Sequence, residues 1–97
     1  DISYKSLSKY PFIVRDIALF VPEQIKAEEI TSIINSVAGP NRVSHWLFDT
    51  FEKDGKKSFA FRLIFQSHEK TLSDEEVNIV MSNMARSFES NDGWKVR

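Results

Sequence analysis

From Ser58 to Phe65 the residues alternate strictly: Phe59, Phe61, Leu63 and Phe65 are large and apolar, and Ser58, Ala60, Arg62 and Ile64 fall between them. Side chains along a strand point to opposite faces in turn, so this segment presents one face that must be buried and one that differs from it. That is the signature of an antiparallel sheet covered on one side only. Just upstream, Lys53-Asp54-Gly55-Lys56 places Asp-Gly at the centre of a hairpin turn. The turn joins the alternating strand, Lys57–Gln66, to a partner strand over Arg42–Glu52.

The rest of the chain supplies what covers that face. Phe12–Val21, opened by Pro11 and closed by Pro22, is rich in β-branched and aromatic residues and reads as a strand. Ile30, Ile33, Ile34 and Val37 fall at i, i+3, i+4 and i+7, the stripe of a helix that Gly39-Pro40-Asn41 ends. Ser73 and Glu76 form a capping box ahead of a second stripe: Val77, Val80, Met81, Met84, Ala85 and Phe88. Gly93 breaks that helix and leaves Trp94–Arg97 for a short closing strand. The order β-α-β-β-α-β predicts an α+β, ferredoxin-like split βαβ fold. Right-handed crossovers give a four-stranded antiparallel sheet of order 4-1-3-2 with both helices on one face. Residues 1–9 read as a lead-in linker and 10–97 as the domain. The chain opens Asp1-Ile2-Ser3 without methionine, so it is expected to be a piece of a larger protein.

Composition narrows the chemistry. The 97 residues suffice for one core, and the absence of cysteine removes disulfides, thiol catalysis and cysteine metal sites. Two histidines, His45 and His68, are too few for a histidine-based zinc site without several carboxylates, and both read as exposed polar residues. No apolar run is long enough to span a bilayer, and no signal-peptide pattern opens the chain. With 13 Lys+Arg against 14 Asp+Glu, the net charge of −1 is unlike a strongly basic nucleic-acid binder. Between residues 53 and 70, however, five cations face two carboxylates.

Function is expected on the uncovered face. Period two places Asp16, Ala18 and Phe20 of the first strand there, with Ser58, Ala60 and Arg62 of the third. In the second strand Trp46 and Phe48 suit the core, which puts His45, Leu47, Asp49 and Phe51 outside. Small residues then lie beside aromatics, carboxylates and one guanidinium, an arrangement on which a flat base stacks while its edge is hydrogen-bonded. Lys56 and Lys57 at the hairpin tip would meet phosphate. An ordinary solvated sheet with two structural aromatics accounts for the same residues, and chemistry alone does not choose. There is no nucleophile–base constellation for catalysis. An acylphosphatase-like site is discarded because Pro22-Glu23-Gln24 offers no glycine and no arginine to cradle phosphate.

Two resemblances bear on that choice. Lys57-Ser-Phe-Ala-Phe-Arg-Leu-Ile loosely resembles the third-strand octamer of RNA-recognition-motif domains, but that register would turn Arg62 into the core, and an unpaired buried guanidinium costs several kcal/mol. The second covers nearly the whole chain, residues 8–97. Lys9-Tyr-Pro-Phe-Ile-Val-Arg-Asp-Ile-Ala18, Leu47-Phe-Asp-Thr-Phe51, Gly55-Lys-Lys-Ser-Phe-Ala-Phe-Arg-Leu-Ile-Phe-Gln66, Glu69-Lys-Thr-Leu-Ser-Asp-Glu-Glu-Val77 and the final Arg97 stand in register. Together they resemble the ferredoxin-fold anticodon-binding domain at the end of the bacterial phenylalanyl-tRNA synthetase beta chain.

The resemblance implies contact with the anticodon stem and loop of tRNA-Phe through Ala18 as a close base approach, Asp49 as an acceptor at a base edge, and Ser58 as a polar contact. Phe51 stands where the family usually has tyrosine, so stacking is retained without the hydroxyl. Lys70 stands where arginine is common, and Arg15-Asp16 is the family's Arg-Asp pair. The implied partners are tRNA-Phe, the remainder of the beta chain and the alpha chain. No cofactor is expected in this domain, ATP and magnesium belonging to the parent's catalytic chain, and the implied location is the cytoplasm. The competing expectation is a protein–protein or small-ligand interaction module, with Phe20 and Phe51 in a dimer interface.

Overall fold

The computed structural model describes residues 10–97; the expected lead-in, 1–9, lies outside the described residues. The elements run β1 (Ile13–Pro22), α1 (Ala27–Val37), β2 (Arg42–Lys53), β3 (Lys56–Phe65), α2 (Asp74–Glu89) and β4 (Lys95–Val96). The four strands make one antiparallel sheet of order β2-β3-β1-β4, the expected order read from the other edge. The closing strand is two residues long rather than four. Arg97 continues its line, donating its backbone N–H to the carbonyl of Ala18 at 2.8 Å.

Local chemistry explains the ends of these elements. Asp54 and Gly55 both have positive φ, 54° and 78°, which a two-residue hairpin turn matching the strand twist requires. Ser73 caps α2 by accepting the Glu76 N–H at 3.1 Å, and Glu76 returns the favour by accepting the Ser73 N–H at 2.9 Å. Lys70 forms an ion pair with the same Glu76 carboxylate. Lys70 and the capping hydrogen bonds hold that carboxyl below its usual pKa. At Gly93, φ is +83°, and an added Cβ would stand 3.2 Å from Pro22 Cγ, so the turn into β4 passes close over the end of β1.

The apolar face of the sheet meets both helices in one cluster. Ile17, Leu19 and Val21 of β1 and Phe59, Phe61, Leu63 and Phe65 of β3 pack with Ile30 and Ile34 of α1 and Val77, Met84 and Phe88 of α2. Full burial of such a side chain stabilises by roughly 1.5–3 kcal/mol, which fixes which side of the sheet is covered. Trp94 closes one end against Phe88, ring centroids 6.2 Å apart. Arg15 shares the core parity but reaches the rim, where it bridges to Asp74 of α2 at 3.0 Å and ties β1 to that helix.

Candidate nucleic-acid interface

The side of the sheet without helices is built from β1, β2 and β3, with Lys95 and Arg97 at its end. Cross-strand partners in an antiparallel sheet share a face, so the pairs Asp16–Arg62, Ala18–Ala60 and Phe20–Ser58 put all six residues on the open side, as expected.

β2 does not follow a single alternation. Trp46 pairs with Arg62 and Leu47 with Phe61, but the next pair is Asp49 with Ala60, so Phe48 is an extra residue in the strand. This β-bulge changes the parity of β2 midway. Upstream the even residues Ser44 and Trp46 face outward; downstream the odd residues Asp49 and Phe51 do. The expectation that Trp46 and Phe48 lie in the core is therefore corrected: they are 42% and 45% exposed. The Arg62 guanidinium lies 4.8 Å over the Phe48 ring. His45 and Leu47, expected outside, pair with the core residues Leu63 and Phe61 and belong to the helix side. His45 is partly covered and its Nδ1 is buried without a hydrogen-bond partner. Burial, with a smaller effect from the Arg42 charge, lowers its pKa.

Three groupings result. Asp16 receives two hydrogen bonds from Arg62, Nε at 2.7 Å and Nη2 at 2.9 Å, a fork geometry that fixes the guanidinium plane. Those hydrogen bonds hold the Asp16 carboxyl below its ordinary value and raise the pKa of Arg62. In the middle, Asp16, Ala18, Phe48, Asp49, Ala60 and Arg97 surround a shallow depression of about 380 Å³. Its floor is the methyl groups of two alanines, so a planar ring can approach the backbone closely. Arg97 bounds the third grouping, spanning Phe20 and Phe51 at 5.5 and 5.2 Å from their centroids and donating from Nη1 to Ser58 Oγ at 2.9 Å. Phe20 and Phe51 themselves meet edge to face, 6.0 Å apart. Ser58 is thus on the open face but beneath Arg97, with 1% of its surface exposed.

The hairpin-tip lysines divide. Lys56 pairs with Lys53 and shares the open-face parity of Ser58, whereas Lys57 pairs with Glu52 and Val21 on the helix side. Lys53, Lys56 and Lys95 line a depression of about 310 Å³ with Phe20 and Asp54. Lys95 and Arg97 did not enter the sequence-derived site, although alternation from the buried Trp94 would have turned both outward. Trp46 and Phe48 had no such signal, because a bulge leaves no mark in a pattern of period two. Among the described residues no group of three His, Asp or Glu is placed to hold a metal ion. No helix among them is long and apolar enough to cross a membrane.

A ferredoxin-like sheet with helices on one side, and on the other a small-residue floor walled by aromatic rings, a carboxylate and cations, offers a surface on which a flat, hydrogen-bonding ligand can be held. The chain belongs to the ferredoxin-fold anticodon binding domain family, whose profile matches residues 8–97. It is 36% identical over 98 residues to the phenylalanine–tRNA ligase beta subunit of Clostridium tetani, covering 97% of this chain and 12% of that protein. Against the same subunit of Halalkalibacterium halodurans the identity is 36% over 101 residues, covering 100% and 12%. For Carboxydothermus hydrogenoformans it is 39% over 98 residues, covering 97% and 12%. The chain thus spans about an eighth of the length of these relatives.

Proposed function

We propose that this chain binds the anticodon stem-loop of tRNA-Phe with the open face of its sheet, as a non-catalytic part of a phenylalanine–tRNA ligase. The observation that carries the reading is Asp49 at the wall of a depression floored by Ala18 and Ala60. A base lying on two methyl groups meets little steric resistance, and a carboxylate at its edge accepts from adjacent ring N–H and amino donors, the pattern guanine offers. Asp16 is already committed to Arg62, which leaves Asp49 as the acceptor for the ligand. Phe20, Phe51 and the Arg97 guanidinium offer ring faces and a cation beside the depression, and Lys53, Lys56 and Lys95 suit phosphate. With so few cations the domain alone binds weakly and salt-sensitively. Useful affinity comes from linkage to the rest of the beta chain and the alpha chain, where ATP and magnesium are used, in the cytoplasm.

The test is binding of an anticodon stem-loop of tRNA-Phe to the chain and to its Asp49→Ala variant at low salt. A hydrogen bond to a charged group contributes about 1.5–3 kcal/mol, so the variant should bind roughly 10- to 100-fold more weakly. Asp49 is exposed, so its melting temperature should stay within a few degrees of the parent's. Equal binding by the two proteins would refute the assignment of Asp49. Chemical-shift changes confined to Lys53–Lys57, and equal for a scrambled loop, would reduce the interaction to nonspecific phosphate attraction.

A further inference from the structure

Adjoining the depression at Asp49, and sharing Phe48 with its wall, the open face carries a second group of flat side chains. The bulge turns Phe48 outward beside Trp46, and Arg62, the cross-strand partner of Trp46, lays its guanidinium 4.8 Å over the Phe48 ring. An indole, a phenyl ring and a guanidinium therefore stand together on one stretch of sheet, and both rings keep more than two-fifths of their surface exposed. Arg62 is not a loose surface cation. Two of its five N–H donors, one on Nε and one on Nη2, bond Asp16 at 2.7 and 2.9 Å, so its plane is fixed and its face is held ready for a ligand. Holding that side chain in advance removes an ordering cost that a free arginine would incur on binding. Asp16 is engaged by that pair, so ring faces make up the larger part of what this stretch presents to a ligand. Exposed ring faces favour stacking, which tolerates any base because every base has a π-face.

We propose that Trp46, Phe48 and Arg62 form a second base-stacking position on the open face, which takes an unpaired nucleotide neighbouring the one held at Asp49 and contacts it through its ring face, without choosing among bases. Asp16 is the positioning residue for Arg62. The inference rests on the open face being the RNA-binding face, and adds to it a sequence-tolerant site one step along β2.

The two tryptophans make the test direct. Trp94 is packed against Phe88 in the core with 9% of its surface exposed, whereas Trp46 is open to ligand. The tRNA-Phe anticodon stem-loop is titrated at low salt against the chain and its Trp46→Ala, Trp46→Phe and Asp49→Ala variants, following tryptophan emission and the anisotropy of end-labelled RNA. Binding should quench the exposed tryptophan of the parent. Loss of one base–aromatic stack corresponds to about a five- to 150-fold weakening for Trp46→Ala, with Trp46→Phe restoring most of it. Both effects should persist when the loop bases outside the one read at Asp49 are changed. If Trp46→Ala binds like the parent while Asp49→Ala is weakened, the second position is wrong and the open-face reading stands. If neither variant is weakened, the open-face reading itself fails.

Discussion

Arg97 joins three residues that the hydrophobic core does not connect, and replacing it tests whether the open face is a built surface. Arg97→Ala removes a hydrogen bond from a charged donor to Ser58, 2.9 Å long, and two cation–π contacts at 5.2 and 5.5 Å. The hydrogen bond contributes about 1.5 kcal/mol, the low end for a charged donor because Arg97 is exposed. Each ring contact adds about 0.5–1 kcal/mol at an exposed site. Release of the arginine rotamers returns up to about 1.5 kcal/mol. The net loss is about 1–2 kcal/mol, which for a domain of this size lowers the melting temperature by roughly 5–10 °C. Arg97→Lys keeps the charge and a donor for Ser58 but not the plane that covers both rings, so about half the loss should remain. The assay is thermal unfolding followed by far-UV circular dichroism for the three proteins under identical salt. Melting of Arg97→Ala within 1 °C of the parent would refute the argument, since it would mean that Arg97 gains as much from solvent as from the face.

Two further changes probe the scaffold. Ser73→Ala removes the cap from α2, which accepts the Glu76 N–H at 3.1 Å, and should cost about 1 kcal/mol; calorimetry giving an unchanged melting temperature would show that Glu76 and Lys70 suffice. His45 is held below its usual pKa by burial, so the unfolded chain takes up its proton first as pH falls. Its stabilising effect is therefore complete above the ordinary histidine range, near 6.5, and is lost as pH falls through that range toward the lower folded value. Denaturant titrations at pH 7.5 and 5.5 should show that decline in the parent and a smaller one in His45→Gln.

Much of the fold was legible because its signals are local and mutually consistent. Ser73 with Glu76, Asp54 with Gly55, and the alternation from Phe59 to Phe65 each name an element, and only one arrangement buries all their apolar faces together. The same alternation placed Asp16, Ala18, Phe20, Ser58, Ala60 and Arg62 on one surface. The pattern of β2 is ambiguous upstream of Phe48 because its hydrophobes occur at both parities: Trp46 and Phe48 are as apolar as core residues, and an outer strand that overhangs the helix layer leaves even helix-side residues such as Leu47 uncovered. A single alternation puts Trp46 and Phe48 in the core and Asp49 and Phe51 outside, and the change of phase at Phe48 leaves only the Asp49 and Phe51 half of that standing. The bridging role of Arg97 depends on Phe51 and Ser58, about forty residues away in sequence, and no local pattern announces such a contact.

The bulges in β2 matter for more than the direction of a ring. This strand is the free edge of the sheet, twelve residues long, with Val43, Trp46, Leu47, Phe48 and Phe51 exposed along it. A straight edge of that length is a template on which the strand of another molecule can add itself. Here Val43 and Phe48 each interrupt the regular spacing of backbone donors and acceptors, so an incoming strand can stay in phase over no more than five residues at a time, 44–47 or 49–53. Two strands paired alone are marginally stable at best in water, and a break of phase within them weakens the pairing further. The irregularity that opens aromatic rings to a ligand thus also breaks up the edge on which a second copy would have to pair, on a chain of nearly zero net charge.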